Sequence, residues 1–126
     1  MSDVPLVLCA DDDADILGLL AIRLERAGFR VAQAADGEQA LSLARELRPD
    51  VLVLDVMMPR LSGTEVLGAL REDDSTAGIP VVLLSARAQE ADVERGLGAG
   101  ADAYLAKPFQ APELIEVVGR LAQRRG

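Results

Sequence analysis

In this sequence, each of the side chains that could do chemistry follows a short apolar run. Asp11 and Asp12 follow one run, and Asp55, Ser85 and Lys107 follow three others. Carboxylates at a partly open site suit Mg²⁺, and three of them clustered without a cation would raise one another's pKa. Together these residues would supply a divalent-cation site, a carboxylate nucleophile, a hydroxyl donor and a compact positive charge.

Lys107 is the only lysine, since the other 12 of the 13 basic residues are Arg. A lysine ammonium is a small charge on a flexible stem, a role that the planar guanidinium does not fill, so Lys107 is a functional candidate. The chain has no histidine and a single cysteine, Cys9. These counts exclude Ser-His-Asp and Cys-His catalysis, His-ligated metals, a phosphohistidine made by this chain and an internal disulfide.

The composition is acidic, with a net charge of −8 over 126 residues. Such a surface repels phosphate backbones, and one Tyr with two Phe gives no stacking platform for bases. We therefore expect no nucleic-acid binding through this domain. The N-terminus lacks a targeting pattern and no apolar run is long enough to span a bilayer, so we expect no membrane association and a cytoplasmic location.

Short apolar runs alternate with amphipathic stretches along the chain. The runs are continuous rather than alternating, which is typical of parallel strands covered by helices on both faces. The pattern predicts a flavodoxin-like α/β fold: a doubly wound five-stranded parallel sheet, order 2-1-3-4-5, in a three-layer sandwich. We expect residues 1–126 to form one domain. The predicted strands are Leu6–Ala10, Arg30–Ala34, Val51–Leu54, Pro80–Leu84 and Ala103–Ala106.

The stretches between the strands have the apolar stripes of helices that pack on a sheet. The fourth stripe is the thinnest, and Gly96 and Gly98 weaken its helix, because each Gly costs about 0.5–1 kcal/mol relative to Ala. That helix is either a two-state element or merely poorly optimised. The predicted core positions are Leu17, Leu20, Leu24 and Ala27, then Ala40, Leu43, Ala44 and Leu47, then Val66, Leu67 and Leu70, then Val93 and Leu97, then Leu114, Val117, Val118 and Leu121.

The predicted topology brings the polar residues to one edge of the sheet. The carboxyl ends of the first and third strands are neighbours where the strand order reverses, so Asp11 and Asp12 would lie near Asp55. Ser85 and Lys107 would join them from the last two strands. Simpler roles remain open, because an aspartate after a strand can cap a helix, and the serine and lysine can be turn or solvated loop residues.

Four motifs surround these residues: Leu8–Asp13, Val51–Asp55 with Met57–Pro59 and Gly63, Leu83–Ala86, and Gly100–Phe109. In this order and spacing they resemble the receiver domain of two-component response regulators, over essentially the whole chain. The resemblance implies a signalling switch rather than an enzyme, one that catalyses only its own phosphorylation and dephosphorylation.

The resemblance also implies roles for the acidic residues. Asp55 would be the phosphoacceptor, taking its phosphoryl group from a sensor histidine kinase, a histidine phosphotransfer protein or a small phosphodonor. The cofactor would be Mg²⁺, with Mn²⁺ as a substitute. Asp12 and Asp55 would bind it directly, Asp11 largely through water, and Met57 through its backbone carbonyl.

The remaining implied roles concern the output. Lys107 would neutralise one phosphoryl oxygen and Ser85 would donate a hydrogen bond to another, while Tyr104 would change rotamer. The change would control an output domain or an effector protein, with a phosphorylation-dependent homodimer as a further option. Several dimerising regulators have two acidic residues before this tyrosine, whereas here Asp102 is followed by Ala103.

Three rival functions share parts of this pattern. A flavin-binding module would need a hydroxyl- and glycine-rich phosphate loop where Asp11–Asp13 stand. A phosphatase with an aspartyl-phosphate intermediate would need a second Asp at the position of Met57. The third alternative is a pseudo-receiver, a protein-interaction module that is never phosphorylated. It requires no residue other than those present in the sequence.

Overall fold

The computed structural model describes residues 4–125, which form one five-stranded parallel sheet in the order β2-β1-β3-β4-β5. Helices follow the strands in strict alternation, so the predicted α/β fold and strand order are confirmed. The strands are β1 Leu6–Ala10, β2 Arg30–Ala34, β3 Val51–Asp55, β4 Val81–Ser85 and β5 Ala103–Ala106. The helices are α1 Ala14–Arg26, α2 Gly37–Leu47, α3 Gly63–Glu72, α4 Glu90–Gly98 and α5 Ala111–Arg125.

The sheet separates two apolar cores. Alternate residues of each strand face opposite sides, so Cys9 and Val53 pack with α1 and α5, while Leu8 and Leu52 pack with α2 and α3. Every residue of β3 and β4 is buried. Burial on both faces is the physical reason that these strands are continuous apolar runs in the sequence.

Short polar contacts fix where the helices begin and end. The side chain of Asp13 accepts hydrogen bonds from the N–H groups of Asp15 and Ile16, which makes it the N-cap of α1. A capping box between Ser62 and Glu65 starts α3. Capping by Asp13 leaves the two preceding aspartates available for the edge of the sheet.

Three predicted core positions are wrong, because Ala27, Leu47 and Leu97 are exposed. The first two lie where α1 and α2 end and the chain turns away from the sheet. In α4 the buried residue is Gly96, so the adjacent Leu97 points outward and is 44% exposed. The face of α4 that meets the sheet is therefore shifted by one residue from the predicted stripe.

Within residues 4–125, no helix is long and apolar enough to cross a membrane.

Candidate functional site

Two buried aspartates lie side by side at the carboxyl edge of the sheet. Asp55 ends β3, and Asp11 follows Ala10, which pairs with Leu54 in the neighbouring strand. Both side chains are almost fully buried, whereas Asp12 is exposed. One carboxylate oxygen from each of the three aspartates lies within 4.8 Å of the others. The strand pairing thus produces an acidic cluster with one side open to solvent.

Lys107 lies against the two buried carboxylates. Its Nζ is 2.8 Å from Oδ2 of Asp11 and 3.1 Å from Oδ1 of Asp55. The residue directly follows β5, where its N–H donates to the carbonyl oxygen of Ser85, and the Lys107–Pro108 peptide bond is cis. The cation that joins the two carboxylates is therefore the ammonium of the sole lysine. It comes from the end of β5, which is two strands away from β3 in the sheet.

The contacts perturb the ionisation of both partners. Burial raises the pKa of Asp55 to about 6, and the negative charge of Asp11 adds to the rise, although the hydrogen bond from Lys107 opposes it. Burial alone would lower the pKa of Lys107, but its hydrogen bonds to the two carboxylates outweigh that effect and raise it. The lysine therefore stays charged at neutral pH, whereas Asp55 ionises near pH 6.

Ser85 in β4 and Tyr104 in the neighbouring β5 are linked through one residue, Arg87. Ser85 is fully buried at the end of β4, and its Oγ accepts a hydrogen bond of 2.9 Å from the N–H of Arg87. The hydroxyl of Tyr104 donates to the carbonyl oxygen of the same arginine over 2.5 Å. A cavity of about 210 Å³ opens between these groups and Met57. Ser85 and Tyr104 thus line the same cavity.

The loop after β3 is held close to Asp55. The N–H of Met57 donates to Oδ1 of Asp55 over 3.3 Å, and the N–H of Gly63 donates to the carbonyl oxygen of Val56. A Cβ at Gly63 would lie 2.3 Å from the carbonyl oxygen of Asp55, so only glycine fits there. The side chain of Met57 is more than half exposed and lies at the mouth of the site.

The acidic cluster is chemically suited to a hard divalent cation. Its three side chains offer only oxygen ligands, the donor type that Mg²⁺ prefers, and the exposed Asp12 leaves room for bound waters. The donor set therefore fits the cation expected from the resemblance.

Asp102 has a role that the sequence did not reveal. Its side chain accepts hydrogen bonds from the guanidinium of Arg71 in α3 and from the N–H of Val81, and it lies 3.4 Å from Arg124 of α5. Arg71 also donates to the carbonyl oxygens of Gly100, Ala77 and Ile79. Asp102 thus joins elements of its own chain at the edge of the sheet opposite the acidic cluster. No pattern of residue types indicated this role, because most partners of Arg71 are backbone carbonyl oxygens.

A sequence model of the response regulator receiver domain matches residues 7–119. The chain belongs to this family. Its receiver domain is 50% identical over 122 residues to the transcriptional regulatory protein PrrA of Mycobacterium tuberculosis, a match covering 97% of this chain and 52% of that protein. It is 45% identical over 109 residues to the DNA-binding response regulator MtrA of the same species, covering 86% and 46% respectively. The chain thus spans about half the length of these relatives.

Solved structures show the same receiver fold. The receiver domain of the Francisella response regulator 1452 superposes with a TM-score of 0.92 at 39% identity, covering 97% of this chain and 99% of that one. The receiver domain of the sensor histidine kinase PA1611 from Pseudomonas aeruginosa, solved with a magnesium ion coordinated in its active-site cleft, gives 0.87 at 31% identity, covering 95% and 98%.

Proposed function

We propose that this receiver domain, residues 1–126, is a phosphorylation-dependent switch and that Asp55 accepts the phosphoryl group. The observation that supports this most directly is the arrangement around Asp55: a nearly buried carboxylate beside Asp11, hydrogen-bonded to the only lysine of the chain. A carboxylate so placed is a nucleophile with a cation at hand to balance the charge that it gains.

The acidic cluster would hold Mg²⁺, or Mn²⁺ in its place. Asp12 and Asp55 would bind it directly, Asp11 largely through water, and Met57 through its backbone carbonyl. When bound, the ion neutralises charge on the oxygens of the phosphoryl group.

In the transfer, an oxygen of Asp55 attacks the phosphorus atom of a phosphohistidine. An O–P bond forms, the P–N bond breaks in line with it, and the imidazole leaves with the electron pair. The transition state is loose, so the chain contributes mainly position and charge. Lys107 stays protonated throughout, because its raised pKa keeps it charged, and its ammonium would move from the carboxylates to a phosphoryl oxygen.

The output would be a conformational change at Ser85 and Tyr104. Phosphorylation replaces the single charge of the ionised Asp55 carboxylate by a phosphoryl group of roughly −1.5 to −2 charge with three acceptor oxygens. The hydroxyl of Ser85 can donate to one of these while its Oγ still accepts from the N–H of Arg87, so a movement of Ser85 toward the phosphoryl group would draw on the Arg87 segment. Tyr104 donates to the carbonyl oxygen of that same arginine. The buried serine and the tyrosine are therefore connected by two hydrogen bonds to one residue, Arg87.

We infer the partners from the family. A sensor histidine kinase or a histidine phosphotransfer protein would donate the phosphoryl group in the cytoplasm, and an output domain or effector would respond. A phosphorylation-dependent homodimer is a further option; Arg71 and Val81 of the same chain both donate to Oδ2 of Asp102, so an intermolecular pair would have to use Oδ1, which lies beside the exposed Arg124. The relatives PrrA and MtrA are transcriptional and DNA-binding regulators, and an attached output of that kind would do the DNA binding.

Intact-mass spectrometry after incubation with acetyl phosphate or phosphoramidate, with and without Mg²⁺, tests the proposal. We expect a Mg²⁺-dependent gain of one phosphoryl group that Asp55→Asn abolishes. Asp74→Asn, the same chemical change at an exposed position, should label like the parent. A folded parent that gains no mass from either donor would favour the non-phosphorylated interaction module, and full labelling of Asp55→Asn would move the nucleophile elsewhere.

Lys107→Arg tests the part assigned to the lysine. The variant keeps the charge but replaces a compact ammonium by a planar fork, so we expect labelling to continue while the conformational response weakens. Limited proteolysis of the α4 region, with and without phosphorylation, measures that response. A variant that responds as the parent does would show that charge alone is needed.

A further inference from the structure

Tyr104 in β5 lies against Gly96, the buried residue of α4. A Cβ at position 96 would be 2.6 Å from Cδ2 and 2.9 Å from Cε2 of the tyrosine ring, and 3.1 Å from Cδ1 of Leu83. Ring carbons do not approach a side chain this closely, so the ring occupies space that exists only because position 96 has no side chain.

The backbone does not require glycine at this position. Among residues 4–125, the glycines with positive φ are Gly28 and Gly100, so Gly96 has a backbone conformation open to any residue. Glycine also weakens a helix by about 0.5–1 kcal/mol relative to alanine. Glycine therefore weakens α4 at this position without any benefit to the backbone conformation. The physical reason for Gly96 is the space that it gives to the tyrosine ring.

A second glycine of the same helix shows the contrast. A Cβ at Gly98 would meet no atom of the described part of the chain within 4 Å, apart from its own helical surroundings. Gly98 is exposed and Gly96 is buried, two residues apart in α4. The steric restriction is thus specific to the position that faces Tyr104.

We propose that Gly96 is a positioning residue for Tyr104, which lets the ring lie against α4 with its hydroxyl on the carbonyl oxygen of Arg87. A side chain at position 96 displaces the ring and breaks that hydrogen bond. Because the N–H of Arg87 bonds Ser85, the displacement also alters the segment that connects tyrosine and serine. The consequence for switching rests on the proposed function, whereas the ring position itself does not.

The test uses Gly96→Ala, with Gly98→Ala as the matched control. Tyr104 is the only tyrosine and the chain has no tryptophan, so its fluorescence, and the single fluorine resonance after meta-fluorotyrosine labelling, report on this ring alone. In the unphosphorylated protein we expect Gly96→Ala to shift the resonance and to increase quenching by acrylamide. Gly98→Ala should change neither. Equal spectra for both variants and the parent would overturn the proposal.

A thermodynamic cycle keeps the test decisive if Gly96→Ala is unstable. Tyr104→Ala removes the ring and leaves the contact of 3.1 Å with Leu83, so in that background Gly96→Ala should lower the urea unfolding midpoint much less than it does with the ring present. If the loss persists without the ring, the clash lies elsewhere and the proposal is wrong.

Phosphorylation separates this inference from the proposed function. Gly96 does not contact the acidic cluster, so Gly96→Ala should gain a phosphoryl group as the parent does, while the fluorine resonance no longer shows the parent's response. A parent that gains no phosphoryl group would refute the proposed function and leave the ring measurements standing. A variant that labels and responds as the parent does would refute the switching role of Gly96.

Discussion

Replacing Asp55 by asparagine should stabilise the metal-free fold at neutral pH. Burial raises the pKa of Asp55 from 3.8 to about 6, which means that folding opposes the ionised carboxylate. A shift of about two units corresponds to about 3 kcal/mol at most, at 1.36 kcal/mol per unit. Lys107 loses one of its two partners in the variant, which offsets part of the gain. We therefore expect the free energy of unfolding to rise by about 1–3 kcal/mol.

The sign of the pH dependence follows from proton binding. Between pH 3.8 and about 6 the folded parent holds the Asp55 proton while the unfolded chain releases it. The contribution of Asp55 to stability is therefore complete below that window and is lost as the pH rises through it. Asparagine does not titrate, so the advantage of the variant should be small near about pH 4 and reach its full value above about pH 7.

Urea unfolding followed by circular dichroism, in EDTA at several pH values across this window, measures the difference. Asp74→Asn is the control for a charge removed from the acidic surface, and it should show no comparable pH dependence. Under the proposed function Mg²⁺ should narrow the gap, because the variant would lack one of the carboxylates that would hold the ion in the parent. A parent at least as stable as Asp55→Asn at neutral pH, or a difference independent of pH, would refute the reasoning.

Three further substitutions test the fold around the site. Arg71→Met removes the donor to three backbone carbonyls and to Asp102. It should therefore lower the free energy of unfolding by about 3 kcal/mol in a urea titration. A variant as stable as the parent would contradict the role of this arginine. Ser62→Ala removes the capping box and should cost about 1 kcal/mol in the same assay. A Cβ at Gly18 would meet no described atom within 4 Å, so Gly18→Ala should raise the free energy of unfolding by about 0.5–1 kcal/mol in the same assay. A decrease would indicate a contact that the structure does not show.

The fold was predictable because local sequence and tertiary environment agree. Strands β3 and β4 are buried on both faces, and that environment selects the continuous apolar runs from which they were predicted. Parallel pairing then forces Asp55 to lie beside Asp11, because strand ends coincide at one edge of such a sheet. The grouping of the candidate site residues needed no more than this.

The errors and omissions share a cause. Apolar periodicity assigned Leu97 to the core, but a glycine has no side chain to enter such a pattern, so Gly96 was missed as the buried residue. The contacts of Arg71 are mostly with backbone carbonyls, which every residue possesses. Backbone partners cannot be predicted from residue types. An arginine near a helix end is therefore assigned to the solvated surface when only the sequence is known.

The hydrogen bond between Lys107 and Asp11 joins residues 96 positions apart in the chain. A nascent chain that has emerged as far as β4 already contains all three aspartates but lacks the ammonium that balances them. Such an incomplete chain has clustered carboxylates without their internal cation, and a fragment ending before β5 would be in the same position. The proposed phosphorylation would therefore require β5 to be in place, and a chain that lacks this strand should not respond to a phosphodonor.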